Sequence, residues 1–166
     1  MASTLLAGHG SVEELQQAND WINVALQIRP RDGNAWILKG YIMSCLGDDS
    51  AALAAAEMAA RDLPSDPEVY YVKATALGDM ALFSEALGTL EIAFEHMSNN
   101  GDEWLLEDLY FLKGSLLEAT GHEKEAISTY QQGLGQCPES VLLRGAAEPL
   151  KLEQRRRAFT VIDGGR

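Results

Sequence analysis

Cysteine is scarce, basic residues are few, and no long apolar run occurs. The two cysteines in 166 residues, Cys45 and Cys137, exclude a disulfide-rich scaffold, and their wide separation fits no metal-ligand spacing. No stretch approaches the roughly 18–20 apolar residues that a membrane-spanning helix needs. Residues 1–10 carry neither the basic start nor the long apolar centre of a signal peptide, so cytoplasmic residence is the expectation. Residues 1–140 hold only seven basic groups against 22 acidic ones. Phosphate binding needs a basic surface, so nucleic acid is not expected as a partner, and neither is a membrane. Catalytic signatures are missing as well. There is no phosphate loop of either common kind and no strained nucleophile elbow. His122-Glu-Lys-Glu125 lacks the second histidine of a zinc-binding helix. The sequence thus predicts no catalytic residues, no cofactor and no metal, and the chain reads as no enzyme.

What is present is an ordinary globular composition, 46% apolar, in a chain long enough for a real core. The net charge of −12 is unevenly spread: residues 1–140 carry −15 and residues 141–166 carry +3. An acidic body aids solubility and steers in basic partners.

A repeat organises the chain. Ala18, Ala52 and Ala86 are 34 residues apart, and Ala126 follows after 40. Seven residues beyond each stand Ala25, Ala59, Ala93 and Gly133, all small. A second feature keeps the same steps: Trp36-Ile-Leu-Lys-Gly40, Tyr70-Tyr-Val-Lys-Ala74 and Tyr110-Phe-Leu-Lys-Gly114. Pro30, Pro64 and Pro138 close three of the units. The helical periodicity predicts a helix over about 12–28, then pairs over 33–46 and 49–62, 67–79 and 83–97, and 103–120 and 123–136. A last helix is expected from Ser140 to about Phe159, kinked or interrupted at Pro149. Six extra residues near Ser98 to Leu106 account for the longer third step.

These motifs resemble the tetratricopeptide repeat, a 34-residue unit with W-x2-L-G-x2-Y, then A-x3-F, then P. The resemblance covers roughly residues 11–140, with lysine where the pattern often has leucine and Ala56 in place of the bulky aromatic. It implies an all-α, right-handed solenoid of about three full hairpins, a partial N-terminal unit and a C-terminal capping helix. The expected division is residues 1–140 for the repeats and 141–166 for the capping helix and basic tail. Single hairpins cannot bury their apolar faces alone, so such units stack.

In that family the first helix of each unit lines a concave, peptide-binding surface. Carried over, the groove comprises Asn34, Ile37, Tyr41 and Ser44, then Glu68, Tyr71 and Thr75, then Asp108, Phe111, Ser115 and Glu118. The competing reading makes Tyr71 and Phe111 plain core. No cation stands at these positions, so the carboxylate clamp of chaperone-tail binders is not expected. The expected ligand is an apolar peptide or helix of another protein, with basic flanks. The resemblance therefore implies an interaction adaptor or a client-specific chaperone, of the kind that small acidic members provide in type III secretion. A self-assembling scaffold, dimeric or head-to-tail, and a regulatory subunit of an enzyme are the alternatives. The first unit has only its second helix in register; Leu5 and Leu6 are expected to cover part of it, unless a longer solenoid or another molecule does so.

Overall fold

The computed structural model describes residues 11–97 and 103–163, with backbone alone for 103 and 154–163. Among the described residues there are eight helices and no strand. They are α1 (Val12–Ile28), α2 (Gly33–Leu46), α3 (Asp49–Asp62), α4 (Pro67–Asp79), α5 (Phe83–His96), α6 (Glu103–Ala119), α7 (Glu123–Gln136) and α8 (Val141–Asp163). The chain divides into two compact units with the boundary between residues 98 and 99. Leu5, Leu6 and the loop at Ser98–Asp102 lie outside the described residues.

Local chemistry starts and stops these helices. Ser11 and Glu14 form a reciprocal capping box at α1: the Glu14 N–H donates to the serine hydroxyl, and the Ser11 N–H donates to the Glu14 carboxylate. Asp32, Asp48 and Asp66 accept from the first-turn amides of α2, α3 and α4, and Pro67 adds a preset φ at the start of α4. Gly47 and Gly121 end α2 and α6 in the left-handed conformation, with φ of 78° and 80°. Glycine tolerates that region without a Cβ clash.

In the first unit, adjacent helices pack through small residues on one side and branched or aromatic residues on the other. Ile37, Ala56, Ala59, Val69 and Val72 form one buried cluster, flanked by Trp36, Tyr41, Leu63, Tyr70 and Tyr71. Ile42, Met43, Ala52 and Ala76 form a second, and Ala18 and Ile22 of α1 dock on it. The repeat also shares a polar link. The Trp36 indole N–H donates to the Pro30 carbonyl at 2.9 Å, and the Tyr70 hydroxyl donates to the Pro64 carbonyl at 2.6 Å. Each aromatic thus ties its own unit to the proline closing the unit before it.

In the second unit the same link recurs with a different donor: the Arg144 guanidinium donates to the Pro138 carbonyl at 2.8 Å. The core is built on Leu109, Tyr130 and Leu143, all fully buried. The Ser140 hydroxyl caps α8 by accepting from the Leu143 N–H, and donates to the Glu107 carboxylate of α6. The helix α8 packs on both α6 and α7. It runs through Pro149 without interruption and ends at Asp163, a few residues beyond the expected stop.

Candidate functional site

The first unit brings six of its seven expected groove residues to the surface side of α2 and α4. Asn34 is exposed; Tyr41, Ser44, Glu68, Tyr71 and Thr75 are half-buried. Ile37 is the exception. It is 4% exposed and belongs to the first buried cluster, so it supports the face without reaching it. Spacing alone could not separate the two roles, since Ala56 opposite is too small to fill the hairpin and Ile37 turns inward to do so.

Tyr41 and Tyr71 come together across the two helices, with ring centroids 6.0 Å apart and planes tilted by 42°. That separation lies in the range favoured by aromatic quadrupoles. Both rings rest on the buried cluster below and leave part of their surface to solvent. The Thr75 hydroxyl donates to the Tyr71 carbonyl one turn back, at 2.9 Å. The Ser44 hydroxyl oxygen is buried without a hydrogen-bond partner among the described residues.

Lys39 donates to Asn23 at 2.8 Å and lies 5.3 Å from the centre of the Trp36 ring, a cation–π distance. At the C-terminal end of α4, burial pushes the Asp79 carboxyl up from its ordinary pKa, and the nearby Asp49 charge pushes it further. Burial likewise raises the Cys45 thiol, which makes it a poor nucleophile.

In the second unit the expected residues converge on a partner that the groove reading missed. Phe111 lies 6.3 Å from the ring of Tyr130. The Tyr130 hydroxyl donates to the Glu118 carboxylate and approaches the Ser115 hydroxyl at 3.4 Å. Burial and Glu118 together push the Tyr130 phenol well above its ordinary pKa. Phe111, Ser115 and Glu118 therefore tie α6 to α7, while Asp108 stays half-buried beside them in the same stripe. The signal was in the sequence: Tyr130 fills the bulky slot of A-x3-F, which Ala56 leaves small.

The 34-residue step from Tyr110 reaches Arg144, so α8 repeats the register of α2, α4 and α6. The positions equivalent to Asn34, Ile37, Tyr41 and Ser44 are then Leu142, Gly145, Pro149 and Leu152, all exposed. They were missed because arginine stands where the other units carry an aromatic.

No group of histidines, cysteines and acids able to hold a metal occurs among the described residues. No helix among them is long and apolar enough to cross a membrane.

No protein-family model matches the chain, and no curated protein matches it. Solved structures do. A thermophilic tetratricopeptide protein of Thermus thermophilus, TTC0263, superposes with a TM-score of 0.72 at 18% identity, over 92% of this chain and 79% of that one. The first tetratricopeptide domain of human RPAP3 gives 0.65 at 15% identity, over 82% of this chain and 99% of that one. The tetratricopeptide domain of Arabidopsis OM64 gives 0.64 at 17% identity, over 73% and 95%. The chain has the tetratricopeptide-repeat fold, an all-α solenoid.

Proposed function

We propose that the chain is a non-catalytic adaptor that holds an apolar segment of another protein against Tyr41 and Tyr71. One observation carries the reading. Two aromatic rings from successive repeats meet at 6.0 Å above a core that is already closed beneath them. Each ring keeps part of its surface in solvent, so together they offer a rigid apolar patch of low entropic cost. The buried Ser44 hydroxyl supports the same reading, because a ligand backbone could satisfy it. Asn34, Glu68 and Thr75 are the other polar residues of the expected groove on α2 and α4, and no cation belongs to the set. A ligand with basic flanks fits this surface better than one ending in carboxylates. A client-covering chaperone is the narrower form of the same role.

The test is fluorescence anisotropy with short peptides rich in Leu and Phe, flanked either by Lys or by Asp. The Lys-flanked series is expected to bind, and Tyr71→Glu to weaken it by about tenfold or more. Because Tyr71 also packs on the core, Thr75→Lys serves as a second variant on the same face, with helical circular dichroism as the folding control. Equal binding of both peptide series, or binding indifferent to both variants, would remove the proposal.

A further inference from the structure

Among the described residues no helix precedes α1, whereas α3, α5 and α7 each follow the first helix of their own hairpin. The positions at which those helices are covered are closed in all three. Ala52, Ala86 and Ala126 are 0% exposed, as are Ala56, Leu90 and Tyr130. Ala59, Ala93 and Gly133 are buried too, and Ala55, Thr89 and Thr129 are 1%, 8% and 6% exposed. On α1 the same four positions are open in part. Ala18, Ile22 and Ala25 are half-buried, and Trp21 is 69% exposed.

A residue on α2 shares this opening. Val72 of α4 is 1% exposed, because it lies against Gly40 of α2 and joins Ala56 and Ala59 of α3 in the buried cluster. Leu38 holds the same position one unit earlier and is 49% exposed; the equivalent Leu112 and Ala146 are half-buried. The register sets Leu38 beside Ile22 and Ala25, facing the place where a helix ahead of α1 would supply its small residue. The turn glycine Gly47 corresponds to Glu13, which lies inside α1 behind the Ser11–Glu14 capping box.

The other hairpins specify what fits there. Their first helices carry a small residue at the centre: Gly40, Ala74 or Gly114. Two and three residues further on stand buried apolar pairs: Ile42 and Met43, Ala76 and Leu77, Leu116 and Leu117. Charge sets the rest. Two helices joined by a short turn run antiparallel, so the C-terminal end of a helix in this place lies beside the start of α1. That end carries Glu13, Glu14 and Asp20, and α1 has no basic residue. Glu14 and Gln17 stand seven and four residues before Trp21, on its side of the helix. Basic residues in the last turns of the occupant would meet these acids and complement its own dipole.

We propose that α1 and Leu38 form a docking site for an amphipathic helix of a partner protein, with glycine or alanine at the centre of its aliphatic stripe and basic residues at its C-terminal end. The helix completes the first hairpin, antiparallel to α1, and seals Trp21 from water. The site uses neither Tyr41 nor Tyr71, and so stands or falls separately from the peptide-binding role.

The probe is a labelled synthetic helix of about 18 residues, with Leu and Ile around a central alanine and lysines in its last turn, its helicity checked by circular dichroism. Fluorescence anisotropy with the full chain should show saturable binding. Glutamates in place of the lysines, or leucine in place of the central alanine, should weaken it about tenfold or more. Trp21→Glu and Leu38→Glu, both at exposed positions, should do the same while the chain stays helical, and Tyr71→Glu should not. No binding of the helical probe, equal affinity for its acidic form, or loss with Tyr71→Glu but not with Trp21→Glu would overturn the proposal. The difference in emission between wild type and Trp21→Phe tests for other occupants. The free chain should show an indole in water, shifted to the blue by the probe. A blue emission without the probe would also overturn the proposal: constant on dilution, it assigns the site to the chain's own residues; lost on dilution, to a second copy.

Discussion

The hairpin α2–α3 and the hairpin α6–α7 share a register but solve the same packing problem differently. One slot separates them. Where the first carries Ala56, the second carries Tyr130. The small alanine leaves space, and Ile37 from its own unit fills it together with Val69 and Val72 from α4. Tyr130 instead fills its hairpin from within. Its ring covers Gly114 and neighbours Phe111, and its hydroxyl reaches Glu118. The surface consequences follow. On α6 the outward stripe is drawn into holding Tyr130. On α2 and α4, Tyr41 and Tyr71 meet over a core completed by other residues. The repeat register sets the backbone; one side-chain volume decides whether the facing stripe is packing or surface.

The sharpest way to break this comparison is at the glycine beneath each slot. A Cβ at Gly114 would lie 2.1 Å from the Tyr130 ring, and that ring is fully buried. Gly114→Ala should therefore cost about 3 kcal/mol, the upper part of the usual range for overpacking. At Gly40 the obstacle is a single methyl of Val72, at 2.5 Å, so Gly40→Ala should cost less, about 1–2 kcal/mol. Ala74 occupies the same slot in the middle unit, fully buried, which shows that the register itself accepts a methyl group. Urea unfolding of the two variants measures the difference. A larger loss at Gly40 would mean that the tyrosine is not the rigid element proposed.

A smaller effect separates the polar parts of the two hairpins. Tyr130→Phe keeps the ring and removes the bond to Glu118, for an expected loss of about 1 kcal/mol at neutral pH. The phenol also gives a pH signature. Its folded pKa is raised by burial and by Glu118, so below about pH 10 both states keep the proton and no penalty arises. Above that point the unfolded chain ionises while the folded chain holds its proton, and stability falls as pH rises. The other tyrosines contribute a background, so the measurement is the difference between wild type and Tyr130→Phe in unfolding free energy from pH 8 to 11. The wild type should decline more steeply. Parallel slopes would show that Tyr130 ionises as easily folded as unfolded.

The helix boundaries were legible because the signals were local. Aspartate caps, Pro67, and Gly47 and Gly121 mark the ends within one or two residues. Two independent motifs in one register carried the repeat, and the fold followed. The groove was only partly legible. Helical spacing put Ile37 and Tyr41 on one stripe, yet which of them reaches water depends on Ala56, across the hairpin. The commitment of Phe111, Ser115 and Glu118 to Tyr130 is likewise a contact between residues up to 19 positions apart. The α8 stripe was hidden for another reason. Arg144 performs with a guanidinium the bond to Pro138 that Trp36 and Tyr70 make with ring donors. A search for aromatics passes over it.

The smallest expected effect concerns the turns, and it runs towards stability. Gly47, Ala81 and Gly121 hold the same repeat position, and all three have positive φ, with 61° at Ala81. The next amide in each case bonds the carbonyl five residues back: Asp48 to Met43, Leu82 to Leu77 and His122 to Leu117. The turn is therefore the same, and only the middle one carries a Cβ in it. That conformation costs an L-residue about 1–2 kcal/mol, while glycine costs about 0.5–1 kcal/mol of extra chain entropy on folding. Ala81→Gly should gain about 0.5–1 kcal/mol, and Gly47→Ala should lose a similar amount or more. Opposite signs in urea unfolding would confirm that the three turns are one device with an imperfect copy. If Ala81→Gly instead lost stability, the α4–α5 turn would owe its shape to the contacts around it rather than to the hydrogen bonds it shares with the other two.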